Sequence, residues 1–136
     1  MRIEEIDVEA TLELRQQVLW PNETKKFCRV DGDDQATHYG AFLHHSLIGV
    51  ASIYQGAGAV RLRKFAVDKQ YQGKGVGSAM LTHIIDSLKN ANATIFWCDA
   101  RESAADFYER FGFSVEGESF YKADIPYRKM VLDLRN

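Results

Sequence analysis

The chain has 136 residues, 46% hydrophobic and 26% charged with only 2 prolines, which bounds it to one globular domain over residues 1–136 and excludes a disordered or fibrous chain. Its 17 basic and 19 acidic residues leave a net charge of −2, so no nucleic-acid or membrane partner is expected and any anion site must be local. No segment has the apolar run of a signal peptide or approaches the roughly 20 apolar residues of a membrane span, and a cytoplasmic location is expected.

Residues 1–6 alternate loosely and predict a first strand. Asp7 suits a helix cap, Glu9 falls in the first turn, and Val8, Leu12, Val18 and Leu19 mark an apolar stripe that Pro21 ends, so a helix is predicted over residues 8–20. Residues 21–37 are polar, with a turn at Asp31-Gly32-Asp33 and room for one short helix. Two β-rich runs, 38–44 and 47–54, flank His45-Ser46 as an antiparallel hairpin. A turn over 56–59 then leads to a strand over 60–67, which makes a three-stranded meander.

Val76, Met80, Leu81, Ile84, Ile85 and Leu88 lie on one face at helical spacing, and a helix running on to Lys89 would be roughly 21 Å long. Residues 93–98 read as a buried strand, parallel to the 60–67 strand through a βαβ crossover. Ser103 and Asp106 form a capping box for a short helix with Ala104, Phe107, Tyr108 and Phe111 on its apolar side, and Gly112 supplies the left-handed end. Two closing strands, 113–115 and 127–134, are expected to be joined by a long connection carrying Tyr121 and Pro126. The fold class is α/β: a mixed central sheet, antiparallel first and parallel in the middle, flanked by helices.

Between a strand and the strongest helix lies Tyr71-Gln72-Gly73-Lys74-Gly75-Val76-Gly77-Ser78. Alternating glycines let successive backbone amides converge, and the helix N-terminus adds partial positive charge, so a pyrophosphate fits there with Lys74 as an added charge. The spacing suits neither a Walker A loop, because Gly75 follows Lys74, nor a GxGxxG fingerprint, because Ser78 holds the sixth place. Cys28 and Cys98 make no CxxC pair and His38, His44, His45 and His83 have no ligand spacing, so no metal is expected.

Gln72, Gly75 and Gly77 after a strand resemble the QxxGxG signature of the GCN5-related N-acetyltransferase (GNAT) family, and the later ARESAADFYERFGF resembles its second conserved block. The resemblance implies a GNAT-type sheet whose parallel central strands splay apart, with acetyl-CoA as donor and an amine as acceptor. Pantetheine would lie along the backbone of Phe65, Ala66 and Val67, the diphosphate on the amides from Gln72 through Ser78, and Phe107 and Tyr108 beside it. Arg101 stands where the family often has an Asn that contacts the cofactor. A homodimer is one assembly that the resemblance brings with it.

Transfer from a thioester to an amine passes through a tetrahedral intermediate and requires a neutral amine, an oxyanion donor and a proton for the thiolate. The resemblance gives the oxyanion to the N–H of Phe65 or its immediate neighbour and the proton to Tyr108. Many relatives carry a glutamate on the strand before the loop, but residues 60–67 contain no carboxylate. Glu23, Asp31, Asp33 and Asp34, or water, are the alternatives for the base. Strand alternation puts Arg61, Arg63, Phe65 and Val67 on one face, opposite Leu62, Lys64 and Ala66. If that arginine face borders the acceptor site, it suits a carboxylate- or phosphate-bearing acceptor. Trp20, Phe27 and Tyr127 could line the pocket or fill the core. A second reading is a non-catalytic acetyl-CoA sensor of the same fold.

Overall fold

The chain runs through β1 (Arg2–Ile6), α1 (Val8–Leu14), β2 (Thr37–Leu43), β3 (Ser46–Gln55), β4 (Val60–Val67), α2 (Val76–Asn90), β5 (Ile95–Arg101), α3 (Ala105–Glu109), β6 (Ser114–Lys122) and β7 (Ile125–Asp133). The computed structural model describes residues 1–135. Its strands form one 7-stranded sheet in the order β1-β2-β3-β4-β5-β7-β6. Every pairing is antiparallel except β4 with β5, the arrangement required by the crossover through α2.

One face of the sheet packs on α2 and α3. Met80, Leu81 and Ile84 of α2 meet Phe96 and Met130 with no side-chain surface left to solvent, and each such burial contributes roughly 1.5–3 kcal/mol. The other face carries α1 and a smaller cluster of Leu14, Val50 and Ala66. The helices thus separate a cofactor-sized loop at the start of α2 from the α1 face of the same strands.

The Asp7 side chain caps α1 by accepting from the Ala10 N–H. The helix expected over 8–20 ends as α-helix at Leu14 and continues as a π-helical turn, Arg15–Leu19. Within that wider turn Arg15 is fully buried. Its guanidinium grips Asp33 at 2.8 and 3.1 Å and donates to the Cys28 carbonyl and Ser52 hydroxyl at 3.0 Å. Tyr54 donates to the same carboxylate at 2.6 Å, and His38 bonds Ser52 and the Asp33 carbonyl. This network pins the polar 21–37 segment against β3. The terminal guanidinium nitrogens and the carboxylate are all partnered, while the Arg15 Nε is buried without an acceptor among the described residues, and such pairing is what lets a buried ion pair be tolerated.

Burial pushes the Asp33 carboxyl up, but the hydrogen bonds from Arg15, Tyr54 and Val30 outweigh it and hold the group at about 2 against an ordinary 3.8. The folded value lies below the unfolded one, so Asp33 contributes stability above pH 3.8 that is lost as the pH falls toward 2. Denaturant midpoints measured across that interval should fall less steeply in Asp33→Asn than in the parent chain. Equal slopes would show that other carboxylates dominate acid unfolding.

Three local expectations are corrected. The meander has four antiparallel strands, because β1 pairs with β2 from Arg2↔Phe42 to Ile6↔His38. No capping box forms: a 3₁₀ turn, Glu102–Ala104, precedes α3, the residue at its cap is Ala104, and no side chain bonds the free amides. There is no long connection around Tyr121 either. β6 and β7 form a hairpin that turns at Ala123 and Asp124, both in the left-handed region (φ 48° and 67°), so Tyr121 pairs with Pro126.

Candidate functional site

The parallel ladder at the centre of the sheet stops early. β4 and β5 pair only at Val60↔Phe96 and Arg61↔Trp97, and beyond those positions the strands separate. The slot between them forms a cavity of about 320 Å³ that crosses the sheet. Leu62, Phe65, Cys98 and Tyr108 line it from the α2 side, and Arg61, Lys64 and Asp99 from the α1 side.

A bulge widens the break. Ala66 pairs with Val50 but Arg63 with Ser52, so Lys64 and Phe65 together face Ala51 alone, and Lys64 sits at φ 55°. A non-glycine residue in that region costs on the order of 1 kcal/mol and recurs at functional sites. The bulge also overturns the face expected from alternation. Phe65 packs on the α2 side with Phe107, ring centroids 6.4 Å apart. Arg63 stacks over Tyr54 at 5.2 Å and Lys64 over Trp20 at 4.5 Å, both toward α1. Phe65 and Val67 are therefore separated from Arg61 and Arg63, because one extra residue shifts the pleat by half a period.

The glycine loop opens onto the α2 mouth of the slot. Gly73 and Gly75 take φ 75° and 85°, values that favour glycine. A Cβ on either would meet nothing within 4 Å. The first α2 bond runs from the Ala79 N–H to the Gly75 carbonyl, which leaves the Val76, Gly77 and Ser78 amides without helical acceptors. Gly77 lies against Phe65 and Phe107, 3.6 and 3.7 Å from a hypothetical Cβ. The Gln72 side chain donates to the Val67 carbonyl at 2.9 Å, latching the loop to the end of β4. An open cradle of amides, an unzipped strand pair and an aromatic wall together fit a long ligand with a phosphate end and a narrow arm.

Tyr108, 8% exposed, sits in the slot between Phe107 and Phe113 with centroids at 5.1 and 5.3 Å. Burial, and the neighbouring Cys98 thiol, push its hydroxyl far above the usual phenol range, so it carries a proton it can donate. Burial likewise pushes the Cys98 thiol up to about 12, which makes it inert as a nucleophile at neutral pH.

Of the residues singled out above, Phe65 and Tyr108 line the slot, Phe107 and Val67 touch the loop over residues 72–78 through Gly77 and Gln72, and the Ala66 side chain packs on the α1 face with Leu14 and Val50. Arg101 does not join the loop. It ends β5, alternating onto the face of Trp97 and Asp99, and lines the slot from the α1 side. Asp33 is committed to Arg15, and Phe27 is 51% exposed, stacked edge-on against Trp20 at 5.5 Å. The sequence reading missed Asp99, the carboxylate in the slot, which pairs with Arg61 at 3.0 Å and Lys122 at 4.0 Å. Alternation placed Lys64 opposite Arg61 and Arg63, but the bulge brings it to their face, where burial and the cations around it, Arg63 foremost, lower it to about 8. Ending the strand at residue 98 put Asp99 one residue outside it, whereas β5 runs on to Arg101.

A family profile described as an acetyltransferase (GNAT) domain matches residues 9–134. The chain is similar to an uncharacterized N-acetyltransferase, YitI, of Bacillus subtilis, at 30% identity over 93% of this chain and 89% of that protein. Among solved structures, an aminoglycoside 6'-N-acetyltransferase complexed with coenzyme A superposes with a TM-score of 0.82 at 14% identity, covering 100% of this chain and 98% of the other. The ribosomal-protein-S18-alanine N-acetyltransferase of Escherichia coli superposes at 0.76 and 19% identity, over 96% and 90% of the two chains. No group of three or more potential metal ligands clusters among the described residues.

Proposed function

The chain belongs to the GNAT acetyltransferase family, and from that premise we propose that it is an N-acetyltransferase that uses acetyl-CoA to acetylate a primary amine of a small molecule or peptide. The observation that carries this reading is the break in the β4–β5 ladder after Arg61↔Trp97, directly in front of the glycine loop. Acetyl-CoA supplies an activated thioester; the chain supplies position, a dry wall and a proton.

Gln72, Gly73, Lys74, Gly75, Val76, Gly77 and Ser78 would hold the diphosphate, Gln72 mainly by fixing the loop through its bond to Val67. The edge of β4 at Phe65, Ala66 and Val67 that β5 leaves without a partner strand would pair with the pantetheine amides, with Phe107 flanking. The Phe65 N–H, at the bulge, or that of its immediate neighbour would serve as the oxyanion donor. As the amine nitrogen bonds to the thioester carbon and the carbon–sulfur bond breaks, Tyr108 would give its proton to the sulfur. The amine's proton passes to water and Tyr108 is reprotonated from solvent, leaving an amide and a free thiol.

Gly75→Val tests the cradle. No neighbouring atom meets the new side chain, although φ 85° strains a β-branched residue there; it fills the space meant for phosphate, and we expect the acetyl-CoA dissociation constant to rise by about 10²-fold in isothermal titration, the scale of two lost charge-assisted hydrogen bonds. Unchanged affinity in a folded variant places the cofactor elsewhere. For the reaction itself, thiol release is followed over amino acids, polyamines, amino sugars and short peptides. Binding without turnover on any of them would favour the acetyl-CoA sensor, a reading to which the tied-up Asp99 lends support.

A further inference from the structure

The two mouths of the slot differ in chemistry. A cofactor seated on the α2 loop enters from the α2 face, so an acceptor has to arrive from the α1 face. There the wall is cationic. Arg63 and Lys64 are half-buried, each stacked on an aromatic ring, and among the described residues neither has a carboxylate partner. Arg61 bonds Asp99 through one terminal nitrogen, while its Nε is buried without an acceptor among the described residues. Lys122 reaches the same Asp99. Arg61 and Arg63 also line a second cavity of about 490 Å³, with Tyr54, Trp97 and Asp31 on its walls, so the slot and this cavity share the arginine pair.

Half-buried cations without counterions are costly unless a ligand completes them. Resting on the acetyl-transfer reading, we infer that the acceptor is an amine that also carries an anionic group, a carboxylate or a phosphate, seated on Arg63 and Lys64 with Arg61 as a third contact. A polyamine finds the reverse of what it needs here, since the one carboxylate in the slot is already shared between two cations. The same cluster addresses the missing base. Positive charges beside an ammonium group favour its deprotonated form, and an alkylamine of ordinary pKa about 10.4 would otherwise be almost wholly protonated at neutral pH. The cations thus hold the acceptor by its anionic end and help to free the lone pair at the other.

The test uses the full chain saturated with acetyl-CoA and measures thiol release over matched acceptors: common amino acids, their carboxamides, aminoalkyl phosphates, and spermidine. The expected result is a kcat/KM at least about 10²-fold higher for an anionic acceptor than for its neutral counterpart, the scale of a lost buried charge pair. Whether amino acids or aminoalkyl phosphates lead tells carboxylate from phosphate. Lys64→Met and Arg63→Met should raise KM for the anionic acceptor about tenfold or more with the acetyl-CoA dissociation constant unchanged, and Arg63→Lys should recover part of the loss. Preference for carboxamides or spermidine, or turnover with none of the anionic amines, overturns the inference even where acetyl-CoA binds. Failure of acetyl-CoA to bind overturns instead the acetyl-transfer reading on which it rests.

Discussion

Replacing Tyr108 by Phe should lower turnover by about 10²-fold or more, the usual scale for a lost general acid, with acetyl-CoA affinity little changed. The substitution is well matched to its purpose. Phe107 and Phe113 hold the Tyr108 ring edge-on from two sides, and a phenyl ring preserves both contacts while removing only the hydroxyl. The Cys98 thiol loses a neighbour, but a thiol is a weak hydrogen-bonding group and the fold should tolerate the loss. Steady-state thiol release gives kcat and calorimetry gives donor affinity; a variant that turns over at the parent rate would remove Tyr108 from the mechanism and leave water to protonate the sulfur.

The second large effect is on stability. Arg15→Met should destabilise the protein by about 3–5 kcal/mol, since it leaves the Asp33 carboxylate buried with its principal partner gone. Asp33 is 3% exposed and Arg15 is fully buried, so water cannot make up the difference. Exchanging both residues, Arg15→Met with Asp33→Leu, should return part of the loss by removing the unpaired buried charge, although the Tyr54 hydroxyl and the Val30 N–H then lose their acceptor. Urea midpoints for the single and double variants check this, and a double variant no more stable than the single one would show that the ion pair is needed for its shape. Function should respond as well: Asp31 and Gly32, beside this pair, line the cavity next to the slot.

The parts of the molecule legible in the sequence are those where period and punctuation agree. Six apolar residues at helical spacing define α2, and the glycines before it take the left-handed conformations that their presence implies. The glycine loop was legible through motif spacing, because a turn that needs left-handed backbone at Gly73 and Gly75 constrains residue type. What escaped has identifiable causes. β6 is an exposed edge strand, interrupted at Gly117 with φ 79°, so no burial imposes alternation on its sequence. Its turn uses Ala123 and Asp124 where Asn-Gly would have announced a hairpin. The bulge at Lys64 carries no glycine to mark it, so the change of face in mid-strand was invisible. The Arg15–Asp33 pair spans residues too far apart in the chain for any local pattern to register.

The short ladder between β4 and β5 also makes the sheet two separately laced panels. β1 through β4 are one antiparallel panel and β5 through β7 another, and only two residue pairs stitch them edge to edge. The rungs inside each panel do not depend on the seam, across which α2 packs. Slot width is thereby decoupled from the integrity of the strands that form it, so substitutions at the seam can alter what the slot admits without dismantling either half.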